Sequence, residues 1–252
     1  MRKHVTVTLC FTCTAGAFGV LFRWLQLRTA FEAETGLPIA GAWTNTVVIA
    51  LSLFMAALLL FLTAFSAKKR TGGSTAAKLP AESVVFSVVS LIACISAAAG
   101  AVLLFFSASN SFEPSVTRAF SVLALAAGIS FPAFVSSSKQ SSGFFTCLLA
   151  LIPVIFCSYW LIVSYRDHAA NPVIWEFAFE ILAISASILG FFFVAGYPCG
   201  TPKPLASFYF CNLAAFLCII TLVDARPFAQ SLILFSLALV ELLYAGGSLA
   251  DY

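Results

Sequence analysis

The sequence predicts an all-α, polytopic transmembrane bundle of about eight spans, N-in and C-in. Three observations predict it. The 252 residues are 62% hydrophobic and only 9% charged, with a mean hydropathy of +1.04, whereas a soluble domain carries roughly 25% charged residues. The apolar residues fall in continuous runs, each able to cross about 30 Å of hydrocarbon as a helix, not in the alternating runs of a barrel. The lysines are confined to one side of those runs. The first observation excludes a soluble globular enzyme, a nucleic-acid binder and a disordered chain.

The elements follow in order. The first run, 5–22, comes after Arg2, Lys3 and His4, and its Ala15-Gly16-Ala17 has the look of a cleavage site. The run continues through Val20, Leu21 and Phe22, so a retained helix is expected. The second, 43–65, starts on Trp43 and ends just before Lys68-Lys69-Arg70, a basic run that anchors topology and whose alternative role is docking to anionic lipid or protein. The third, 84–106, contains Ser96-Ala97-Ala98-Ala99-Gly100-Ala101, small residues that let helices approach closely. The fourth, 119–135, holds Ala126-Ala127-Gly128 and then Pro132, which predicts a kink near its end. The remaining runs are 144–165, 173–197, 207–223 and 228–244, and only residues 224–227 join the last two, which makes them a tight antiparallel hairpin. The loops are too short to fold as domains. Residues 1–252 are read as one integral-membrane domain whose function sits in the bundle or at its mouths.

With the N-terminus inside, all six lysines (Lys3, Lys68, Lys69, Lys78, Lys139 and Lys203) fall on the inner side with Arg2 and Arg70. The outer side holds Arg23, Arg28, Arg118, Arg166 and Arg226 among the acids Glu32, Glu34, Glu113, Asp167 and Asp224. The positive-inside rule then places both termini in the cytoplasm and the chain in the plasma or inner membrane.

All four tryptophans fall at the outer interface, where an aromatic belt is the plain reading. Trp24 matches Trp160 and Trp43 matches Trp175, and Thr12-Cys13 parallels Thr146-Cys147. These matches suggest two tandem four-helix halves, 1–140 and 141–252, related by an axis along the membrane normal.

Two candidate sites emerge. Ionisable groups in hydrocarbon are costly and so point to function. Glu176 and Glu180 lie one turn apart on the sixth span, Glu241 lies near the inner end of the eighth, and Asn212 on the seventh is at a depth where it could bond Glu241. These four read either as glue between helices or as a proton or cation relay. The second candidate is an outer ligand site of Arg23, Trp24, Trp160 and Arg166, an aromatic wall beside arginines that suits a carboxylate or aromatic ligand. The eight cysteines, including Cys10-x-x-Cys13, are read as small apolar packing residues, because none lies in an outer loop where disulfides form.

The only histidines, His4 and His168, lie outside the spans, which argues against haem or an intramembrane metalloprotease. No lysine within a span, no G-x-S-x-G and no Walker A motif is present. No cofactor, metal or enzymatic activity is expected. The partners expected are the lipid bilayer, a membrane or cytoplasmic protein or a second copy of the chain, and an unidentified small molecule, but not nucleic acid. Two function classes follow. One is a transporter of a small molecule or ion, or a transporter's membrane subunit; the other is a membrane-embedded sensor, assembly or accessory protein without turnover.

Overall fold

The computed structural model describes residues 2–32, 37, 39, 41–68, 83–110, 113–140, 143–169 and 173–249, apart from the side chains of 2–4, 68, 110, 139–140 and 174–176. Eight long helices account for nearly all of them: α1 (Arg2–Thr29), α2 (Trp43–Lys68), α3 (Val84–Ser107), α4 (Pro114–Gln140), α5 (Phe144–His168), α6 (Ile174–Ala195), α7 (Pro204–Thr221) and α8 (Phe228–Ser248). Each contains a stretch long and apolar enough to cross a membrane. The chain is a multi-pass membrane protein.

The local chemistry suits a bilayer. Hydroxyl side chains within the helices bond the carbonyl one turn back, as Ser52 does to Val48, Thr63 to Leu59, Ser158 to Val154 and Ser236 to Ile233, so their polarity is met without water. Prolines open α4 and α7, where the missing N–H costs nothing. Both α4 and α5 run on through an internal proline, Pro132 and Pro153. Large apolar side chains on the outer helices, such as Phe18, Leu53, Phe61, Ile95, Phe106 and Ile162, face outward, as lipid contact requires.

The α7–α8 hairpin is the centre of the bundle. More than half of its residues are buried, against about a third or fewer in α1, α2, α3 and α5. Around it, α6, α5, α4 and α3 follow one another, with α6 packed on α7 and α3 packed on α8. The α1–α2 pair sits on the other side of α7. The neighbours therefore differ between the halves 1–140 and 141–252: α6 packs along α7, whereas α2 packs on α1 and α7.

Close approach follows the small residues. On α3, Ser96 donates to the Leu232 carbonyl of α8 at 2.8 Å. A Cβ on Gly100 would stand 2.5 Å from the Ala229 carbonyl oxygen, and one on Gly128 would stand 2.8 Å from the Ala97 Cβ. The Gly100 contact is with backbone, which cannot swing aside. Gly100→Ala is expected to cost about 1–3 kcal/mol by overpacking, read as a lower melting temperature in detergent; an unchanged melt would contradict the α3–α8 seam.

The two ends of the bundle are distinct. Val5 of α1, Phe208 of α7 and Leu249 after α8 pack together, and Ser207 bonds Ser248. This terminal end also carries the disulfide between Cys147 and Cys199. The cysteine reading is corrected here: two are bonded, and Cys10 and Cys13 are exposed on α1, so only Cys157, Cys211 and Cys218 are the buried packing residues expected. The pairing joins the start of α5 to the turn after α6, a contact that only the tertiary packing creates.

Candidate functional site

Two polar groups of residues are enclosed by the bundle, one at each end of the inner face of α6.

The first is at the tryptophan-bearing end. Near the last turns of α1, Arg23 is completely buried and its Nε donates to Asp224 Oδ1 at 2.8 Å. Its Nη1 donates to Gln26 Oε1 at 2.9 Å, and Gln26 Nε2 donates to Asn45 Oδ1 on α2 at 2.7 Å. The guanidinium also lies 4.9 Å from the Phe179 ring centroid. On the other side of Asp224, Arg226 Nη2 meets Asp224 Oδ2 at 3.2 Å and Glu180 Oε2 at 3.4 Å. Glu180 Oε1 accepts from the Trp160 indole N–H at 3.0 Å. A single chain of contacts thus runs from α2 through α1, the α7–α8 turn and α6 to α5.

Two arginines and two carboxylates balance within this chain, which is how buried charge is tolerated. Burial is the largest influence on Asp224 and pushes its carboxyl up, while Arg23 and Arg226 pull it down. The balance is not complete in hydrogen bonds. Nε and Nη1 of Arg226 are buried and have no acceptor.

The second group surrounds Glu241 on α8. Glu241 is completely buried, and neither carboxyl oxygen has a hydrogen bond of ordinary geometry. The weak thiol donor of Cys211 faces it, with Cys157, Cys218 and Tyr244 also in its surroundings. No ion pair reaches it among the described residues. The carboxyl lies against the backbone of α6 at Gly190, where a Cβ would stand 2.5 Å from Oε2. Gly190 is thus the residue that makes room for the acid.

These two groups share one face of α6. Glu180, Ser187 and Gly190 recur at helical spacing on its inner side, and the Ser187 hydroxyl meets the Cys218 thiol at 3.6 Å. Ten residues separate Glu180 from Gly190, about 15 Å along the axis. Beyond Gly190, Phe191 and Val194 line a cavity of about 10 Å³ with Ser130, Pro153 and Tyr244. That is room for about one water. Because Pro153 has no N–H, the Leu149 carbonyl lacks its usual helical donor, and Leu149 lines the same cavity.

The candidates read from the sequence are distributed as follows. Glu180 and Glu241 belong to different groups, and both Glu180 oxygens are engaged by Trp160 and Arg226. Asn212 does not bond Glu241: it accepts from Thr12 of α1 at 3.1 Å and donates to the Phe208 carbonyl at 2.8 Å. The Glu176 and Trp175 side chains lie outside those described. Of the proposed outer ligand residues, Arg23 and Trp160 join the buried network, and Trp160 is 2% exposed, an interior residue and not part of a belt. Trp24 is exposed and covered by Arg28 at 4.6 Å. Arg166 is exposed and pairs with Glu113 at 2.8 Å. The sequence reading missed Asp224, Arg226 and Gln26. The signal was an acid and an arginine within a four-residue turn between two apolar spans.

No known protein-family model matches the chain, nor does any curated protein or solved structure.

Proposed function

We propose that the protein is a membrane carrier for a small molecule or ion, or the membrane subunit of one, and that Glu241 takes up and releases a proton in its cycle. The observation that carries this reading is a carboxyl wholly buried in the bundle that has, among the described residues, no cation and no partner beyond the weak thiol donor of Cys211. Such a group costs stability, and a group that costs stability and is nonetheless present is accounted for by function. In this reading the stripe Glu180–Ser187–Gly190 marks the route along α6, and Glu180 with Arg226 closes its tryptophan-bearing end. The nearby cavity beside Tyr244, with room for about one water, lies one helical turn from Glu241 and does not itself reach it; in this reading it is widened during the cycle. No catalytic role is assigned to any residue.

The test uses proteoliposomes carrying an internal pH dye and classes of small solute: amino acids, sugars, organic acids and metal cations. At least one class is expected to drive proton movement with the wild-type protein and not with Glu241→Gln. Proton movement with no class, or equal movement with both proteins, would contradict the carrier reading. A second reading, a sensor or accessory protein without turnover, is favoured by the close packing around α7 and α8 and by a cavity that neither Glu180, Asn212 nor Glu241 lines.

The lysine distribution supports a cytoplasmic terminal end in the plasma or inner membrane. The Cys147–Cys199 pair lies at that end, and the cytoplasm keeps thiols reduced. A permeant alkylating reagent is therefore expected to label both cysteines in growing cells, with the bond forming on purification in air. Protection of both in cells would place that end in an oxidising compartment.

A further inference from the structure

We infer that Arg226 is the anchor of an oxyanion-binding site at the tryptophan-bearing end, taking a carboxylate or phosphate group. The inference does not depend on the carrier reading, because it concerns binding alone.

The argument starts from hydrogen-bond accounting. A guanidinium presents five N–H donors in a planar fork. Arg226 is 4% exposed, and only its Nη2 has acceptors. Nε and Nη1 have none and are cut off from solvent. Leaving charged donors unmet in a buried network is costly, and the rest of this network is well satisfied: Arg23, which is fully buried, has close partners in Asp224 and Gln26. The shortfall is confined to one side chain.

The geometry also says how an oxyanion would enter. The 3.4 Å contact between Arg226 and Glu180 is the longest in the network, and Glu180 is the most exposed of its four charged groups. An oxyanion that takes the place of Glu180 on Nη2 can set its second oxygen on the vacant Nη1. That is the bidentate fork by which arginine recognises carboxylates and phosphates. The oxyanion adds one negative charge to a network that already balances two arginines with two carboxylates, so its entry requires Glu180 to swing outward or take up a proton. Trp160, whose ring is packed against Phe120 and Phe156, donates to Glu180, and the same exchange frees its indole N–H for the ligand.

The oxyanion could come from a free solute or from a lipid headgroup, and the test separates them. The intact protein is placed in nanodiscs of phosphatidylcholine alone and its melting temperature is followed against sodium acetate and sodium phosphate, with sodium chloride holding the ionic strength constant. A saturating rise with either oxyanion is expected, as binding to the folded state requires. The rise should be lost in Arg226→Gln. In Glu180→Gln, which keeps an acceptor for Arg226 and Trp160 but removes the competing charge, the midpoint should move to about tenfold lower concentration. If no free oxyanion acts but phosphatidylglycerol in the nanodisc raises the melting temperature of wild type and not of Arg226→Gln, the site is confirmed with a lipid as its source. An equal rise in wild type and Arg226→Gln, a rise that never saturates, or no response to any of these oxyanions would overturn the inference. Should Arg226→Gln fail to fold, the absence of tightening in Glu180→Gln overturns it equally.

Discussion

Arg23→Ala should lower the stability of the bundle by about 3–5 kcal/mol, the loss found when one partner of a buried ion pair is removed. Arg23 is completely buried, and its removal leaves Asp224 with a single guanidinium and Gln26 without its donor. The measurement is unfolding in detergent, by heat or by a denaturing detergent. The double variant Arg23→Met, Asp224→Asn should recover part of the loss, since no lone charge is then left between α1 and the α7–α8 turn. Arg166→Ala is the control. Its partners Glu113 and Asp167 are exposed, and exposed pairs contribute little, so its melt should match the wild type. Equal behaviour of Arg23→Ala and Arg166→Ala would contradict the buried network.

Glu241→Met should have the opposite sign. Methionine has nearly the length of glutamate, adapts to irregular space and has no charge to bury. Removing an unsatisfied buried carboxyl is expected to stabilise the bundle by about 1–3 kcal/mol, the desolvation cost of such a group. Gly190→Ala should destabilise by a similar amount, because its Cβ would collide with both Glu241 oxygens. With the carboxyl oxygens removed by Glu241→Ala the collision is gone, so Gly190→Ala should cost less in the Glu241→Ala background than in the wild type. If Glu241 instead tied helices together, Glu241→Met would melt at a lower temperature than the wild type.

The eight spans were legible in the sequence because a helix that meets lipid must be apolar over its whole length, and hydropathy records that directly. The α3–α8 and α3–α4 contacts were partly legible through Gly100 and Gly128. The place of Glu241 on the eighth helix was legible too, but not its isolation. What hydropathy does not record is which helices are neighbours, since every lipid-compatible face reads alike. Asn212 was therefore assigned to Glu241 across the hairpin, although its partner is Thr12, 200 residues away in sequence. For the same reason Trp160 read as an interfacial belt residue when it is enclosed and bonded to Glu180. Asp224 and Arg226 read as loop charges because only the placement of α1 and α6 beside the turn buries them. The Cys147–Cys199 pair depends on the turn after α6, where Gly200 adopts a positive φ of 77°, a conformation that favours glycine.

The central claim is that Glu241 exchanges a proton from inside the bundle. Infrared difference spectra of the membrane-reconstituted protein, taken between alkaline and mildly acidic buffer, test it most directly through the C=O stretch of a protonated carboxyl in an apolar setting. The account predicts such a band in the wild type and its loss in Glu241→Gln, with the remaining difference spectrum unchanged. Superimposable spectra from the two proteins would contradict it.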